Sequence, residues 1–268
     1  MTTFTTEGPL EARLRFHGGT VDVDATGHGP AGATVEALDP GDGRSVEAAR
    51  AARIDCVGNR LTVDVPGKGK WRGGIQVRIT LSLPALSKLT SESGEVQLHS
   101  TGELRDLVVR TGSGRVHATE VRDGVDVRAG EATVVVGGSP RRVAFTTGNG
   151  QLTAEAAGDV LFKTGHGRAT LGSTTGDVLV KGGNVQLDLA AARTGQVLFQ
   201  AGAGSARVGV VEGTSVQLDL KSGLGDVRCD LTMEDAGPAG GSDLTVKLVT
   251  GMGDVVVARA SQAGAAVL

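Results

Sequence analysis

The feature that most constrains this chain is a repeat of 18 residues, each copy opening with a small residue and a glycine. Copies begin at residues 93, 111, 129, 147, 164, 182, 201, 222 and 250, so the steps are 18, 18, 18, 17, 18, 19, 21 and 28 residues. A second strand-like segment divides each copy, as in VDVR, RVAFT, DVLFK and DVLVK. Repeats of this kind indicate coils that share one core with their neighbours. The sequence predicts an all-β, single flattened β-solenoid with two strands per coil.

Alternation within the copies predicts which side chains face the core, because residues two apart in a strand lie on one face. In the first half of each copy the inward pairs are all apolar: Val96/Leu98, Val116/Ala118, Val134/Val136, Leu152/Ala154, Ala169/Leu171, Leu187/Leu189, Ala206/Val208, Val227/Cys229 and Val255/Val257. In the second half the inward column is Val109, Val127, Phe145, Phe162, Val180, Phe199 and Leu218. The glycines are expected at the corners, where they would supply positive φ.

The two ends of the chain depart from the repeat. Residues 1–90 alternate without the 18-residue period, which predicts an irregular N-terminal β-strand cap continuous with the solenoid repeats of residues 91–260. A cap is needed because the open end of a β-stack exposes unpaired backbone. The stretch SVEAARAARI (45–54) has helical spacing and predicts one short helix, and DAGPAGGSD (235–243) predicts an exposed loop. Residues 261–268 are expected to form a loose tail.

Composition argues against several classes of partner. The formal charge is −3, from 27 basic and 30 acidic residues, so we expect no nucleic-acid partner. No apolar run is long enough to span a membrane, and the first residues lack the pattern of a secretory signal. Cys56 and Cys229 do not form a disulfide framework, and both are interpreted as small core residues. A cytoplasmic location is therefore expected.

Three groups of residues carry a resemblance to a known family. They are the turns TGSG, TGNG and TGHG, the GDV steps at 158, 176, 225 and 253, and the C-terminal segments VQLDLKSGLGDVRCDL and LTVKLVTGMGDVVVARA. In these features the chain resembles the actinobacterial branch of the putative-adhesin β-strand-repeat family, also called the toastrack domain. The segments NRLTVDVPGKGKW and IQVRITLSLPA resemble the leading strands of that family. The resemblance covers roughly residues 8–260 and implies a β-solenoid with interaction or scaffold roles, without catalytic residues to carry over.

The glycine turns also invite two ligand-binding interpretations. GHGPAG (27–32) matches a dinucleotide loop formally, but such a loop opens a helix, and Pro30 followed by ATVEAL predicts a turn into a strand. Glycine repeats also occur in calcium-binding β-rolls, which need converging oxygen ligands. The GDV aspartates occur once per turn and are expected instead to satisfy local turn amides: Asp159, Asp177, Asp226 and Asp254. No cofactor is predicted.

Histidines offer the remaining candidate chemistry. His99 and His117 occupy the same position in consecutive copies and should stack on the outer surface, about 5 Å apart. Catalytic zinc requires three protein ligands, and the other histidines lie at other registers, so a neutral surface pair is favoured over a metal site. Polysaccharide-cleaving β-helices use clustered acids and aromatic platforms, whereas aromatics make up only 2% of this chain. We expect no enzyme activity.

One outward column is sharper than the rest. The residues before successive corners are expected to stack in register along the solenoid: Arg110, Arg128, Thr146, Lys163, Lys181, Gln200 and Lys221. The five basic members of this column are called the basic stripe. It is interpreted either as a surface facing an acidic protein, a polyanion or a lipid head group, or as a solubilising edge that resists aggregation.

The repeat therefore predicts a non-catalytic scaffold or protein-interaction solenoid that contacts an unidentified protein or another copy of itself. A self-assembling or adhesive surface protein is the first alternative, and a carbohydrate-active enzyme is the second. Shape and family resemblance support this function, and no constellation of side chains does.

Overall fold

The computed structural model describes residues 2–6, 8–27, 30–67, 74–231 and 243–260. It divides into two compact units, residues 1–138 and 139–268. The described residues are almost entirely β-structure, as predicted. None of their helices is long and apolar enough to cross a membrane. The predicted tail and nearly all of the predicted loop at 235–243 lie outside the described residues, and the predicted cap boundary at residue 90 falls inside the first unit and stays a prediction.

The first unit contains eight strands and one helix among its described residues. They are β1 (Thr2–Phe4), β2 (Glu11–Arg15), β3 (Gly18–Ala25), β4 (Ala31–Ala37), α1 (Gly43–Arg50), β5 (Arg53–Val57), β6 (Arg60–Asp64), β7 (Gln76–Ser82) and β8 (Ser87–Val136). Strand β8 is a run of 50 residues that passes through several corners. Parallel pairing places β2 between β6 and β8, and β3 between β7 and β8. Antiparallel pairing joins β4 to β1 and β7, and β5 to β6.

Helix α1 confirms the helix expected near residues 45–54, although it begins at Gly43 and ends at Arg50. Asp42 caps it, because its carboxylate accepts hydrogen bonds from the Ser45 hydroxyl and from the backbone amides of Arg44 and Ser45. The Ser45 hydroxyl bond, followed by the amide bonds, holds the pKa of Asp42 below its ordinary value. Strand β4 begins at Ala31 within the formal dinucleotide loop, so the predicted strand is confirmed there, while residues 28 and 29 of the predicted turn lie outside the described residues.

The second unit contains nine strands among its described residues. They are β9 (Arg142–Ala157), β10 (Asp159–Thr174), β11 (Val178–Ala192), β12 (Gly195–Ala203), β13 (Ala206–Val210), β14 (Val216–Leu224), β15 (Val227–Cys229), β16 (Leu244–Met252) and β17 (Val255–Arg259). Strands β9, β10 and β11 pair in parallel over their whole length. Strand β11 then pairs with β12 and β13, which together make the next coil.

The last two coils of this unit do not follow chain order. Strands β16 and β17 pair on one side with β12 and β13, and on the other side with β14 and β15. The coil of residues 244–259 therefore lies between two coils that precede it in the sequence, and the expectation of consecutive stacking is wrong here. The 28-residue step before this coil gives the chain the length needed to return to the gap between the coils of residues 195–210 and 216–229.

The predicted core is confirmed except in the coil of residues 216–229. The other predicted inward pairs are buried, and Phe145, Phe162 and Phe199 are fully buried. Val227 is 47% exposed, however, and Cys229 and Leu218 are only half-buried. The reason is that β14 and β15 have a neighbouring coil on one side alone among the described residues. Cys56 is also half-buried, because β5 pairs only with β6 there.

The corner glycines act mainly through close stacking. Gly112, Gly165 and Gly167 do not have positive φ, contrary to expectation. A Cβ on Gly167 would lie 2.3 Å from the carbonyl oxygen of Gly150 in the neighbouring coil. Positive φ occurs at Gly204, with a value of 124°. Glycine is therefore required at most corners because the backbones of adjacent coils approach too closely for any side chain.

Candidate interaction surfaces

In the first unit, both arginines of the basic stripe have an acidic neighbour. Arg110 lies 3.7 Å from a carboxylate oxygen of Glu92. Arg128 lies 3.5 Å from a carboxylate oxygen of Asp126. Both arginines are exposed, so these ion pairs contribute little to stability. Glu92 also lies 3.3 Å from Arg15, so its one carboxylate is shared by two arginines.

In the second unit, the stripe is concentrated in two lysines. Lys163 on β10 and Lys181 on β11 are directly adjacent in the parallel register. Neither lysine forms an ion pair with any described residue. Adjacent parallel strands lie about 4.8 Å apart, and like charges at directly opposed positions repel each other. This lysine pair is therefore the one part of the predicted stripe with unmatched charge among the described residues.

Lys221 is separated from that pair by the coil of residues 244–259. Gln200 on β12 is next to Val249 on β16, and Val249 is next to Lys221 on β14. Lys221 also lies 3.1 Å from Asp219, whose other carboxylate oxygen is 3.0 Å from Lys247. The continuous column from Lys181 through Gln200 to Lys221 is thus wrong, because a strand that the sequence places later lies between its members.

An apolar column beside the lysines was missed from the sequence. Leu161, Leu179 and Leu198, together with Ala144, are consecutive register partners on β10, β11, β12 and β9. They alternate with buried residues, so they point outward, and all are half-buried. We call this set the leucine ladder. The signal in the sequence is the recurrence of leucine at the outward position of the segments VLF, VLV and VLF.

The GDV aspartates lie at two different corners of the coil, since Asp159 and Asp177 lie at the start of β10 and β11 whereas Asp226 and Asp254 precede β15 and β17. Asp159 accepts a hydrogen bond of 2.9 Å from the backbone amide of Asp177, and Asp177 accepts one of 2.9 Å from that of Gln196. Asp254 accepts one of 3.0 Å from the amide of Asp226. The expectation that these carboxylates satisfy amides of their own turns is wrong. The amides that Asp159, Asp177 and Asp254 accept belong to adjacent coils, and the Asp226 carboxylate pairs with Arg228. The arrangement gives these aspartates a structural role.

The predicted histidine stack is present in the first unit. The rings of His99 and His117 have centroids 4.9 Å apart, with 23° between their planes. Their Nδ1 atoms are separated by 2.9 Å. In the observed side-chain conformations, no group of three or more His, Cys, Asp or Glu residues in the described part of the chain is arranged to hold a metal ion.

The opposite outer face of the second unit is polar and shallow. Arg168 donates a hydrogen bond to the side chain of Gln186 on the neighbouring strand. Arg228 forms an ion pair of 3.0 Å with Asp226. The mixed charges of this face compensate one another locally, which distinguishes it from the surface that carries the leucine ladder and the two lysines.

These strands, cores and outer columns define a β-solenoid whose candidate sites are flat surfaces of repeated side chains. The chain belongs to the Toastrack DUF4097 family, whose model matches residues 44–258. A crystal structure of a putative cell adhesion protein from Clostridium sporogenes is 10% identical, with a TM-score of 0.35 over 96% of this chain and 97% of that one. A putative adhesin from Bacteroides fragilis is 12% identical, with a TM-score of 0.31 over 96% and 95% of the two chains. No curated protein matches.

Proposed function

We propose that this chain is a non-catalytic scaffold that binds a partner protein through the leucine ladder of its second unit. The observation that carries the proposal is the outward, half-buried column of Leu161, Leu179 and Leu198 beside the unmatched pair of Lys163 and Lys181. A partner that fits this surface has an apolar stripe flanked by acidic side chains.

The ladder supplies the apolar part of this contact. Each leucine is shielded by neighbours on the adjacent strands but keeps part of its surface in water. Burying a leucine fully contributes roughly 1.5–3 kcal/mol, so the remaining exposed area of three leucines is a moderate driving force. Since the side chains are held on paired strands above a packed core, little conformational entropy is lost when a partner covers them.

The lysines supply the selectivity of the contact. Two ammonium groups on adjacent strands repel each other, and an acidic group placed between them would relieve that repulsion. On the other side of the ladder, the carboxylates of Asp159 and Asp177 are already occupied by backbone amides. The surface therefore favours a partner whose acidic residues face the two lysines.

Capture from lysate of the source organism, with the purified chain immobilised, tests the proposal. The variants are Leu179→Asp and the double variant Lys163→Glu with Lys181→Glu. We expect the amount of each specifically retained protein to fall about tenfold or more in these variants, because each ~1.4 kcal/mol of lost binding energy is a factor of ten in affinity. Retention by the unsubstituted chain should also weaken with added salt.

Thr170→Asp is the matched control, since Thr170 is also exposed on β10 but lies in the other half of the coil. Proteins retained equally by all of the variants would contradict the proposal. Cell fractionation supplies an independent check, because the proposed role places the chain in the cytoplasm.

Self-assembly is the second candidate, and the coil of residues 216–229 favours it. Leu224 and Val227 are 70% and 47% exposed, and β14 pairs only with β16 among the described strands. An exposed apolar strand edge is a template for another chain. Light scattering over a range of concentrations separates this candidate from the first, since a strictly monomeric protein would reject self-assembly. A cell-surface location would favour the adhesive form of this alternative.

A further inference from the structure

Two histidines on β8 lie side by side on the outer surface of the first unit, with one ring nitrogen of each in contact. The Nδ1 atoms of His99 and His117 are 2.9 Å apart. Both side chains are exposed, whereas the adjacent Leu98 and Ala118 are buried in the core. Core packing therefore fixes the backbone under each ring, and the spacing of the coils sets the distance between the rings.

The short distance limits the combinations of tautomers that the two rings can adopt. One Nδ1 can donate a hydrogen bond while the other accepts it, but both cannot carry a proton towards each other. Neither ring makes another hydrogen bond or ion pair with the described residues. In the tautomers that carry the proton on Nε2, both Nδ1 atoms present a lone pair, and neutral imidazole is the commonest metal ligand in proteins.

The distance also discriminates between metal ions. Imidazole nitrogens lie about 2.0–2.1 Å from a bound transition metal, so two of them at a right angle are about 2.9 Å apart. Right angles between ligands belong to tetragonal sites, which Cu²⁺ and Ni²⁺ prefer. A tetrahedral Zn²⁺ site would separate the nitrogens by about 3.3 Å. The observed separation of 2.9 Å is that of a hydrogen bond between the rings, and it also suits the tetragonal geometry.

A carboxylate lies on the next strand. Asp22 on β3 is the register partner of His99, and it points outward because Val21 and Val23 on either side are buried. In its observed conformation it does not complete a group of three ligands. We propose that His99 and His117 bind Cu²⁺ through their Nδ1 atoms, and that rotation of the Asp22 side chain supplies an oxygen ligand, with water in the remaining positions.

Titration of the full-length, tag-free chain with Cu²⁺ tests the proposal, with affinity measured by calorimetry and the ligands by electron paramagnetic resonance. We expect His99→Gln and His117→Gln each to weaken binding about tenfold or more, since even outer-shell changes at metal sites usually cost about 10- to 100-fold. The two-nitrogen pattern of the copper spectrum should be lost in both. Ni²⁺ should bind the same residues more weakly.

His166→Gln is the matched control, because His166 is exposed on β10 without a neighbouring histidine in its register. It should bind Cu²⁺ as the unsubstituted chain does. Equal affinity and an unchanged spectrum in His99→Gln would overturn the proposal, and unchanged affinity in Asp22→Asn would overturn the assignment of the oxygen ligand. Protection of His99 and His117 from diethylpyrocarbonate by Cu²⁺ provides a test in the unsubstituted protein, and absence of protection would also overturn the proposal.

Discussion

At the residue scale, glycine and aspartate set how closely the coils can approach. The corner glycines lie under the carbonyl oxygens of the adjacent coil, at distances that exclude a Cβ. The GDV aspartates use their carboxylates to accept the amides of that coil. Each residue type therefore acts between coils. The glycine contact recurs with the repeat, whereas the aspartate contact occurs where the GDV sequence does.

Replacement of one corner glycine should measure this constraint. In Gly167→Ala the new Cβ would lie 2.3 Å from the Gly150 carbonyl oxygen, so the backbone has to move. We expect a loss of roughly 1–3 kcal/mol in the free energy of unfolding, the usual cost of overpacking. Gly43→Ala is the control, because a Cβ there meets no atom within 4 Å. Equal stability of the two variants in denaturant titrations would show that close stacking is not the constraint.

At the element scale, parallel pairing turns a position in the repeat into a column on the surface. Leu161, Leu179 and Leu198 form such a column only because β10, β11 and β12 keep the same register. Strand β14 shows the converse, since it pairs with β16 alone among the described strands and its core face stays half-buried. Side chains that link β14 to β16 then contribute to holding the coil of residues 216–229 in place.

The Asp219 carboxylate links β14 to β16 and should make their pairing sensitive to acid. Hydrogen bonds from Lys247, and then from Lys221, hold the pKa of Asp219 below its ordinary value of 3.8. A lowered folded-state pKa stabilises the fold above the unfolded pKa, and this contribution is lost as the pH falls through the folded pKa. We expect Asp219→Asn to lower the melting temperature slightly at neutral pH and to match the unsubstituted chain at a pH well below 3.8.

Asp188→Asn is the control for this prediction, because Asp188 is an exposed acid on β11 that forms no ion pair with the described residues. A difference between the Asp219 variant and the unsubstituted chain that does not change with pH would contradict the proposed link. The effect should be small, since the ion pairs are exposed to solvent and to screening.

At the scale of the whole molecule, the second unit shows that sequence order and coil order differ. The coil of residues 244–259 lies between the coils of residues 195–210 and 216–229. This arrangement separates Lys221 from Lys181 and leaves the coil that contains Leu224 and Val227 with one neighbour among the described residues. It determines which surfaces are continuous and which strand edge is open.

Engineered disulfides should report this order directly. In a background of Cys56→Ser and Cys229→Ser, we expect Gln200→Cys with Val249→Cys to oxidise readily, because those residues are register partners. Adjacent strands lie about 4.8 Å apart, within the Cα separation of about 4.4–6.8 Å that a disulfide requires. Gln200→Cys with Lys221→Cys should not oxidise, since two strand spacings exceed that range. Efficient bridging of the second pair would show consecutive stacking and contradict the fold.

The candidate sites were predictable only in part. The stack of His99 and His117 followed from their equal positions in two regular copies and is confirmed. The basic stripe followed from the same argument, but the sequence could not show that Arg110 and Arg128 have acidic partners, because ion pairs depend on side-chain conformation. Alternation in the segments VLF, VLV and VLF places each leucine outward, but only the register of β10, β11 and β12 shows that the three leucines form one continuous column.

The sequence by itself determined the all-β solenoid, its coil length and nearly all of its core, because a regular repeat with period-2 alternation assigns each apolar residue to one face. Only the tertiary structure decided the position of the last coil. Once the step lengthens to 28 residues, the chain can reach more than one free strand edge. The order of pairing then depends on which neighbour buries the most apolar surface, and that is a property of the assembled core.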